Sequence, residues 1–423
     1  MDGEAPPPSA RTRTREELAD YLLDLGATLS SYGCPSYRVE DVLRAIADIE
    51  GFRAEPFALP TGLFLRVVPK DAAAHAPEVH RMTRVSDQGA DLERLVLVDE
   101  IFNDVIDRRA TIEQARARIR AAAKKPPHWP APLVWLATAA ASAAAAVFFR
   151  GALVDVAVAA LVGAVIGGAR VLLLRSVARQ RLYEFLGGLL AAVCAWLAAR
   201  AWPSASPEVI VLAGAISLFP GMTFTTGLAE VAQKSLVSGG ARLMEAAVTL
   251  LLILFGVALV AGLQEVTGVS LPAGASLGAA RVGLGLGWHA AALVVASLSF
   301  AVLFQTPRRF VWAALASGAT GYAATALALR HLPNHVAAFG AALAVCVLAN
   351  LLARATRRPA QLFQLPGMML LVPGSFGFLS LDEFLRGAVV EGAAHGFAMV
   401  LVSAALVIGV LVANVVAPAR KLL

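Results

Sequence analysis

Long apolar runs follow residue 131, and they constrain the fold more than any other feature of the chain. A helix needs roughly 17–25 mostly apolar residues to span a bilayer. We read ten such runs, at about 132–149, 152–172, 182–202, 207–229, 243–263, 288–305, 309–329, 335–353, 362–380 and 394–416. The sequence therefore predicts a mainly α, polytopic membrane protein with about ten transmembrane helices.

Charge is divided unevenly along the 423 residues. Residues 1–131 carry 18 Lys and Arg against 21 Asp and Glu, whereas residues 132–423 carry 18 against 9. The first part is thus typical of a soluble domain and the second of a membrane domain with basic loops. Such loops are a sufficient cause of the net charge of +6, so no nucleic-acid partner is expected.

The polar part of the chain divides further by composition. Residues 1–15 are rich in Pro and Arg and are predicted to be disordered. Residues 16–125 are predicted to form a small α+β domain, with helices at both ends and strand character in "AEPFALPTGLFLRVVP". Residues 126–131 form a Pro-rich hinge. No apolar segment precedes residue 132, so no signal peptide is expected and this domain should be cytoplasmic.

The positive-inside rule orients the predicted spans. With the N-terminus inside, the loops hold 13 basic residues on the inner side and five on the outer side. The inner set is Arg170, Arg175, Arg179, Arg181, Lys234, Arg242, Arg308, Arg309, Arg354, Arg357, Arg358, Arg420 and Lys421, and the outer set is Arg150, Arg200, Arg281, Arg330 and Arg386. Both termini are therefore expected in the cytoplasm, which agrees with an even number of spans.

One block of sequence occurs twice. "LFPGMTFTTGLAEVAQKSLVSGGARLMEA" begins at residue 218, and "LVPGSFGFLSLDEFLRGAVVEGAAHGFAM" aligns with it without a gap at an offset of 153. The same offset carries most of the first five spans onto the last five. Because each half has an odd number of spans, the second should enter the membrane from the opposite face. The sequence therefore predicts a 5+5 inverted repeat, residues 132–266 and 285–420, as found in secondary transporters.

A Pro-Gly pair interrupts an apolar run at matching positions of the two halves. Proline removes a backbone donor, and freed backbone groups are tolerated in a membrane only where protein or a wet cavity covers them. The helix that begins after such a break offers unpaired N–H groups to an anion. The predicted substrate site comprises Ser217, Pro220, Gly221, Thr223, Thr225, Thr226, Pro373, Gly374 and Ser375. The alternative interpretation is a pair of packing kinks.

Acidic residues in or near the spans are candidates for proton coupling, since a charge inside a bilayer is costly. Glu230 and Glu383 are related by the repeat, and Asp155 is a third candidate. A solvated helix end is the alternative explanation for each. Glu245 is expected to pair with Arg242 at helical spacing three. Asn350, Asn414 and His395 are weaker candidates that could simply bond a neighbouring helix.

The chain gives no sign of metal, cofactor or enzyme chemistry. The three cysteines lack the spacing of a zinc site, and the histidines, serines and aspartates of the polar part show no catalytic spacing. No P-loop motif is present, which argues against ATP-driven pumping by this chain. A membrane enzyme is therefore disfavoured.

The motifs resemble those of the threonine/serine exporter family over roughly residues 16–416. "LGATLSSYGCPSYRVEDVLRAIADIEGF" with "LPTGLFLRV" resembles the family's N-terminal signature, and "LFPGMTFTTGLAEVAQKSLVSGGARLMEA" and "LFQLPGMMLLVPGSFGF" resemble its two membrane motifs. The resemblance implies a ten-span exporter of L-threonine and L-serine in the bacterial inner membrane, exchanging substrate for protons as an antiporter. In this chain "PGSFGF" replaces "PGMTFT" in the second half, which puts equal roles for the halves in doubt.

Two other functions stay open from the sequence. Relatives whose two membrane domains are separate subunits are associated with succinate export, so a dicarboxylate is an alternative substrate. A regulated channel for small solutes would need no proton-coupling acid. The sequence leaves association into a homo-oligomer open.

Overall fold

The computed structural model describes residues 14–70, 78–85, 89–173, 180, 182–267 and 283–419. The predicted tail lies almost wholly outside this range, as do six of the loop charges counted above: Arg175, Arg179, Arg181, Arg281, Arg420 and Lys421. The chain forms two compact units that divide after Lys125, with residues 91–93 grouped with the second unit. Each unit is described by itself.

The first unit is an α+β fold. Its elements are α1 (Arg15–Ser31), α2 (Ser36–Ile49), β1 (Phe52–Leu59), β2 (Gly62–Pro69), β3 (Val79–Arg84), α3 (Leu92–Ile106) and α4 (Ile112–Lys124). The strands pair antiparallel in the order β1-β2-β3. Alternate residues of β2, Leu63, Leu65 and Val67, are buried, and α1 packs against this strand. This period of two is what a sheet with one covered face requires.

Capping explains where two of these helices begin. Thr14 and Glu17 form a reciprocal capping box at the start of α1, and Thr111 and Gln114 form another at the start of α4. The ion pair between Arg116 of α4 and Asp24 of α1, at 2.9 Å, joins the two helices. The predicted helices correspond to α1–α4. The predicted strand is a hairpin of β1 and β2, and β3 was not predicted.

The second unit is entirely helical in its described residues. Its first half comprises α5 (Ala131–Phe148), α6 (Leu153–Leu173), α7 (Tyr183–Ala201), α8 (Pro207–Gly214), α9 (Gly221–Ala232) and α10 (Leu236–Thr267). Its second half comprises α11 (Leu286–Leu303), α12 (Val311–Ala328), α13 (Asn334–Thr356), α14 (Gln361–Met368), α15 (Gly374–Leu385) and α16 (Val389–Val416).

Eight of the described helices are long and apolar enough to cross a bilayer: α5, α6, α7, α10, α11, α12, α13 and α16. The predicted span 207–229 corresponds to α8 and α9, which are bent by 44° and together make a ninth candidate. The predicted span 362–380 is also discontinuous, because α14 and α15 have only 8 and 12 residues. At 1.5 Å per residue, neither is long enough to span a bilayer by itself.

Neighbouring helices recur in the two halves. In the first half, α9 packs on α10, α7 packs on α10, and α8 packs on α5, α6 and α7. In the second half, α15 packs on α16, α13 packs on α16, and α14 packs on α11, α12 and α13. The halves meet through α5 with α11, α9 with α15, α9 with α16, and α10 with α15. Exchanging equivalent helices therefore reproduces the same set of neighbours.

Candidate functional site

The first break lies between α8 and α9. A short 3₁₀ turn, Ile216–Leu218, follows α8, and α9 begins at Gly221 directly after Pro220. Pro220 has φ −81° and ψ 35° and provides no side-chain cap. The carbonyl of Pro220 accepts a hydrogen bond from the backbone N–H of Phe224 at 2.9 Å. The N–H groups of the first turn of α9 have no acceptor within their own helix, as at every helix start.

The second break has nearly the same geometry. Pro373, with φ −85° and ψ 40°, precedes α15 and again provides no side-chain cap. Its carbonyl accepts from the backbone N–H of Phe376 at 3.2 Å. Both α9 and α15 have 12 residues and start at a buried glycine. The sequence block that occurs twice therefore folds into the same local structure twice.

The two breaks are in contact with each other. A methyl group built on Gly221 would lie 2.3 Å from Cγ1 of Val372 and 3.1 Å from the N and Cα atoms of Gly374. A methyl group built on Gly374 would lie 3.5 Å from the N and Cα atoms of Gly221. The rings of Phe219 and Phe378 contact each other across the same junction in a tilted arrangement, with centroids 5.4 Å apart. The two helix starts thus meet inside the second unit, and the close approach requires glycine at position 221.

The predicted hydroxyl groups do not converge on one point. Thr225 is 6% exposed, and its Oγ1 has no hydrogen-bond partner among the described residues. Thr223 and Thr226 are half-buried and share a helix face, because they are three positions apart, whereas Thr225 points away from Thr223. Ser217 is exposed, and Ser375 in the first turn of α15 is half-buried. Thr225 is therefore the one predicted hydroxyl that is buried and lacks a partner.

Glu230 lies near the end of α9 and is fully buried. Its Oε2 accepts hydrogen bonds from Ser238 Oγ at 2.7 Å and from Arg242 Nε at 3.2 Å, both on α10. The predicted pairing of Arg242 with Glu245 is wrong, because Arg242 turns toward the buried carboxylate instead. Glu245 is exposed. A buried carboxylate needs such partners, since an unpaired charge is costly to bury.

Glu383 occupies the equivalent place at the end of α15. Its Oε2 lies 2.6 Å from Nδ1 of His395 on α16, and the two side chains are 23% and 35% exposed. The ring of His395 also stacks on Phe376, with centroids 6.0 Å apart. His395 therefore contacts α15 both near the break and near its acidic end.

Asp155 has a different environment from the other two acids. It is fully buried at the start of α6. Its oxygens accept from the backbone N–H groups of Ala152 at 2.8 Å and Ser206 at 2.6 Å. These bonds hold the α5–α6 turn against the segment before α8.

Asn350 and Asn414 bond each other across α13 and α16, with Nδ2 of Asn350 3.0 Å from Oδ1 of Asn414. This is the helix-to-helix bond that the sequence offered as an alternative. Among the described residues, no group of three or more His, Cys, Asp or Glu side chains is arranged to hold a metal ion.

The sequence analysis did not identify Arg242 and His395 as the partners of the two repeat-related acids. They are equivalent at the offset of 153 that relates Pro220 to Pro373. The repeat itself was therefore the signal, because it pairs the two bases in the same way as the two acids. Local helical spacing pointed to Glu245 and missed this relation.

Comparison with known proteins agrees with the motifs. Residues 20–264 match a family model, ThrE, described as "Putative threonine/serine exporter". Residues 289–416 match a second model, described as "Threonine/Serine exporter, ThrE". No solved structure matches the chain.

Two uncharacterized proteins of the yeast Schizosaccharomyces pombe are similar to part of the chain. C7D4.12c is 27% identical over 252 residues, which is 57% of this chain and 32% of the yeast protein. C16A10.01 is 28% identical over 251 residues, which is 57% of this chain and 29% of that protein. The similarity thus covers about a third of each relative. The first family model alone covers more than half of the residues of this chain. The chain therefore belongs to the threonine/serine exporter family.

Proposed function

We propose that the chain exports small hydroxy amino acids, L-threonine and L-serine, by secondary transport across the bacterial inner membrane. The observation that carries this proposal is the contact between two uncapped helix starts, at Gly221 and Gly374, inside the membrane unit. The family is one of transporters, which is not a class of enzymes.

The electrostatics of this contact favour a carboxylate ligand. Each helix start carries a partial positive charge equivalent to roughly half an elementary charge. Two such ends in contact repel each other, and the prolines before them contribute no side-chain cap. An anion bound between them would relieve the repulsion and accept hydrogen bonds from the free N–H groups. The carboxylate of an amino acid supplies that charge.

The hydroxyl of the substrate is assigned to Thr225. Its buried Oγ1 lacks a partner among the described residues, and it lies one helical turn after Gly221. A buried hydroxyl without a bond is unfavourable, and a substrate hydroxyl could supply the missing bond. Thr223, Thr226, Ser217 and Ser375 remain in the proposed site as residues near the breaks.

We propose an inverted 5+5 repeat with ten crossings, in which the pairs α8–α9 and α14–α15 each count as one broken crossing. The matching neighbours of the two halves and the nearly equal geometry of Pro220 and Pro373 support this architecture. It keeps the predicted halves, 132–266 and 285–420, and both termini in the cytoplasm. Secondary transporters with such repeats bind substrate where broken helices meet near the midplane.

Transport against a substrate gradient needs a coupled ion, and we propose the proton. Glu230 and Glu383 are the candidate groups because each sits in the repeat beside a base. Asp155 is left out of the coupling step, since its carboxylate is bonded to two backbone N–H groups.

A dicarboxylate such as succinate is the second candidate substrate. The same contact favours it, because two helix starts could each hold one carboxylate of a dianion. Thr225 has no role in that case, since succinate carries no hydroxyl.

Efflux from proteoliposomes tests the proposal and separates the two substrates. Purified full-length chain is reconstituted into vesicles loaded with labelled threonine, serine or succinate, and efflux is followed with and without an inward proton gradient. Efflux of threonine or serine that the gradient stimulates is the expected result. Efflux of succinate alone would reassign the substrate, and no efflux beyond that of protein-free vesicles for any of the three would refute an exporter.

A further inference from the structure

The acid–base pairs of the two halves are equivalent in place and different in chemistry. Glu230 pairs with Arg242 at 3.2 Å, and Glu383 pairs with His395 at 2.6 Å. Both the acids and the bases correspond at an offset of 153. The first pair joins α9 to α10 and the second joins α15 to α16, so the same helix contact is built twice with a different base.

Close packing of small residues holds each base beside its acid. A methyl group built on Gly239 would lie 2.6 Å from the carbonyl oxygen of Gly227, and one built on Gly392 would lie 2.9 Å from that of Ser380. These two contacts are equivalent at the same offset. The distance between acid and base is therefore set by the fold in both halves, and the two pairs can be compared directly.

The base of the first pair does not exchange its proton at ordinary pH. A guanidinium keeps its proton in proteins, so Arg242 stays charged. Glu230 is fully buried, and its carboxylate also accepts a hydrogen bond from Ser238. Its position beside Arg242 is therefore fixed by several contacts.

The second pair contains the side chain that exchanges protons most readily near neutral pH. An imidazole gains and loses a proton between about pH 5 and 8. The side chain of His395 is 35% exposed, so it lies partly at the surface of the helix bundle. Protonation would place an imidazolium beside the Glu383 carboxylate and so add the attraction of opposite charges to this hydrogen bond.

We propose that His395, held by Glu383, is the proton-exchanging residue of the transporter, and that the pair of Glu230 and Arg242 is its fixed counterpart. This inference rests on the proposed function as an exporter. In each cycle one proton adds to the neutral imidazole from water on one side of the membrane. The same proton leaves to water on the other side, so the net result is the movement of one proton.

His395 is the basic group that pairs with Glu383, because the neighbouring arginines have other partners. Arg386 is engaged elsewhere, since it bonds Asp382 at 2.9 Å and lies 3.6 Å from Glu208. The other ionisable groups whose side chains the structure describes on α15, α16 and the helices packed on them are Glu391, Glu230, Arg242, Glu245, His335, Cys346 and Arg354. Of these, Arg242 is bonded to Glu230 and Arg354 to the carbonyl of Pro418.

One helix connects the proton site to the proposed substrate site. α15 begins at Gly374, in contact with Gly221, and carries Phe376 in its first turn and Glu383 near its end. His395 contacts both Phe376 and Glu383. A change in the bond between His395 and Glu383 therefore acts on the helix whose start forms half of the site.

Converting the second pair into a copy of the first tests the proposal. His395→Arg keeps a cation beside Glu383 and removes the exchangeable proton. Purified full-length chain in proteoliposomes is assayed for substrate counterflow without a pH gradient, and for accumulation driven by a gradient with the membrane potential clamped to zero. For one proton per substrate, a gradient of about one pH unit supports at most about tenfold accumulation.

We expect the wild-type chain to show both activities, and His395→Arg to keep measurable counterflow while gradient-driven accumulation falls to the background. The dependence of its counterflow on pH should also be weaker than in the wild-type chain. His335→Arg, on α13, is the matched control and should behave as wild type. Accumulation by His395→Arg equal to that of wild type would overturn the proposal.

A second measurement covers the case in which His395→Arg folds poorly. Proton uptake or release by the detergent-solubilised wild-type chain and by His395→Gln is followed with a pH indicator when threonine, serine or succinate is added. A proton change in wild type that is absent in the variant supports the assignment, and an equal change in both refutes it. If wild type transports none of these substrates, the proposed function itself fails and this inference fails with it; loss of coupling alone leaves counterflow intact.

Discussion

The two halves of the membrane unit repeat their backbone more faithfully than their side chains. Pro220 and Pro373 agree within 5° in both backbone angles, and each precedes a 12-residue helix that starts at a buried glycine. Yet the equivalents of Thr223 and Thr225 are Phe376 and Phe378, and the equivalent of Arg242 is His395. The geometry of the break is nearly the same in both halves, whereas the side chains that could bind a ligand or exchange a proton differ.

This difference is consistent with separate roles for the two halves in substrate binding and proton exchange. The first half supplies the buried hydroxyl of Thr225 and a fixed ion pair at Glu230. The second half supplies aromatic rings and a histidine beside Glu383. Substrate recognition would then depend chiefly on the first half and proton exchange on the second, and the helix starts of both halves would form the proposed substrate site.

Gly221→Leu should give the largest effect, because the break is the feature that both halves share. The first side-chain carbon would already overlap Val372 at 2.3 Å, so α9 and α15 would have to separate. Misplacing a binding group by about 1 Å can cost roughly 100-fold in rate, and transport should fall by at least that much. Substrate efflux from proteoliposomes measures it.

Gly240→Leu on α10 is the matched control, since nothing lies within 4 Å of a methyl group built there. This variant should transport normally. The double variant of Gly221→Ala with Val372→Ala should recover part of the activity that Gly221→Ala loses, because it removes the overlapping methyl group. Normal efflux in Gly221→Leu would show that the contact between the breaks has no part in transport.

The acid pairs should differ in what they do for stability. Removing one partner of a buried ion pair costs about 3–5 kcal/mol, so Glu230→Gln should strongly lower the free energy of unfolding. A partly exposed pair contributes only about 0–1 kcal/mol, so Glu383→Gln should change stability little. Thermal unfolding of the detergent-solubilised chain measures both effects.

Replacing both members of the buried pair sharpens this test. Glu230→Gln combined with Arg242→Gln should be less destabilised than Glu230→Gln alone, because no unpaired charge remains buried. Equal destabilisation by Glu230→Gln and Glu383→Gln would mean that the two pairs play the same structural role, and the contrast between the halves would then be lost.

The sequence could predict the breaks because Pro and Gly act on the backbone directly. Most of the helices could also be predicted, because an apolar run of about 20 residues has few possible structures other than a membrane-spanning helix. The partners of individual side chains were harder to predict. Local spacing paired Arg242 with Glu245, but the turn after Ala232 brings α10 beside α9 and offers Arg242 a buried carboxylate twelve residues earlier.

The third strand shows the same limit in the first unit. "VHRMTR" is too polar to stand out as a strand, and it becomes one because β2 offers unpaired backbone groups along Gly62–Val67. Pairing across a fold depends on what the rest of the chain brings near, which spacing along one segment does not contain. Equivalence within the repeat is the exception, because it relates distant residues through the sequence itself.

Thr225→Val should give a smaller and more selective effect, and it tests recognition by the first half. If Thr225 bonds the substrate hydroxyl, losing about 1 kcal/mol should weaken threonine and serine export roughly fivefold relative to alanine. The same change should leave the substrate-free chain equally stable or more stable, because it removes a buried hydroxyl that has no partner among the described residues.

Thr320→Val is the control, since Thr320 bonds the carbonyl of Ala316 on its own helix at 2.8 Å and lies outside the site. Competition between labelled threonine and alanine in proteoliposomes, with thermal unfolding of the same samples, separates the explanations. Weaker threonine export at undiminished stability indicates recognition, whereas equal loss for both substrates at lowered stability indicates a hydroxyl that serves the fold.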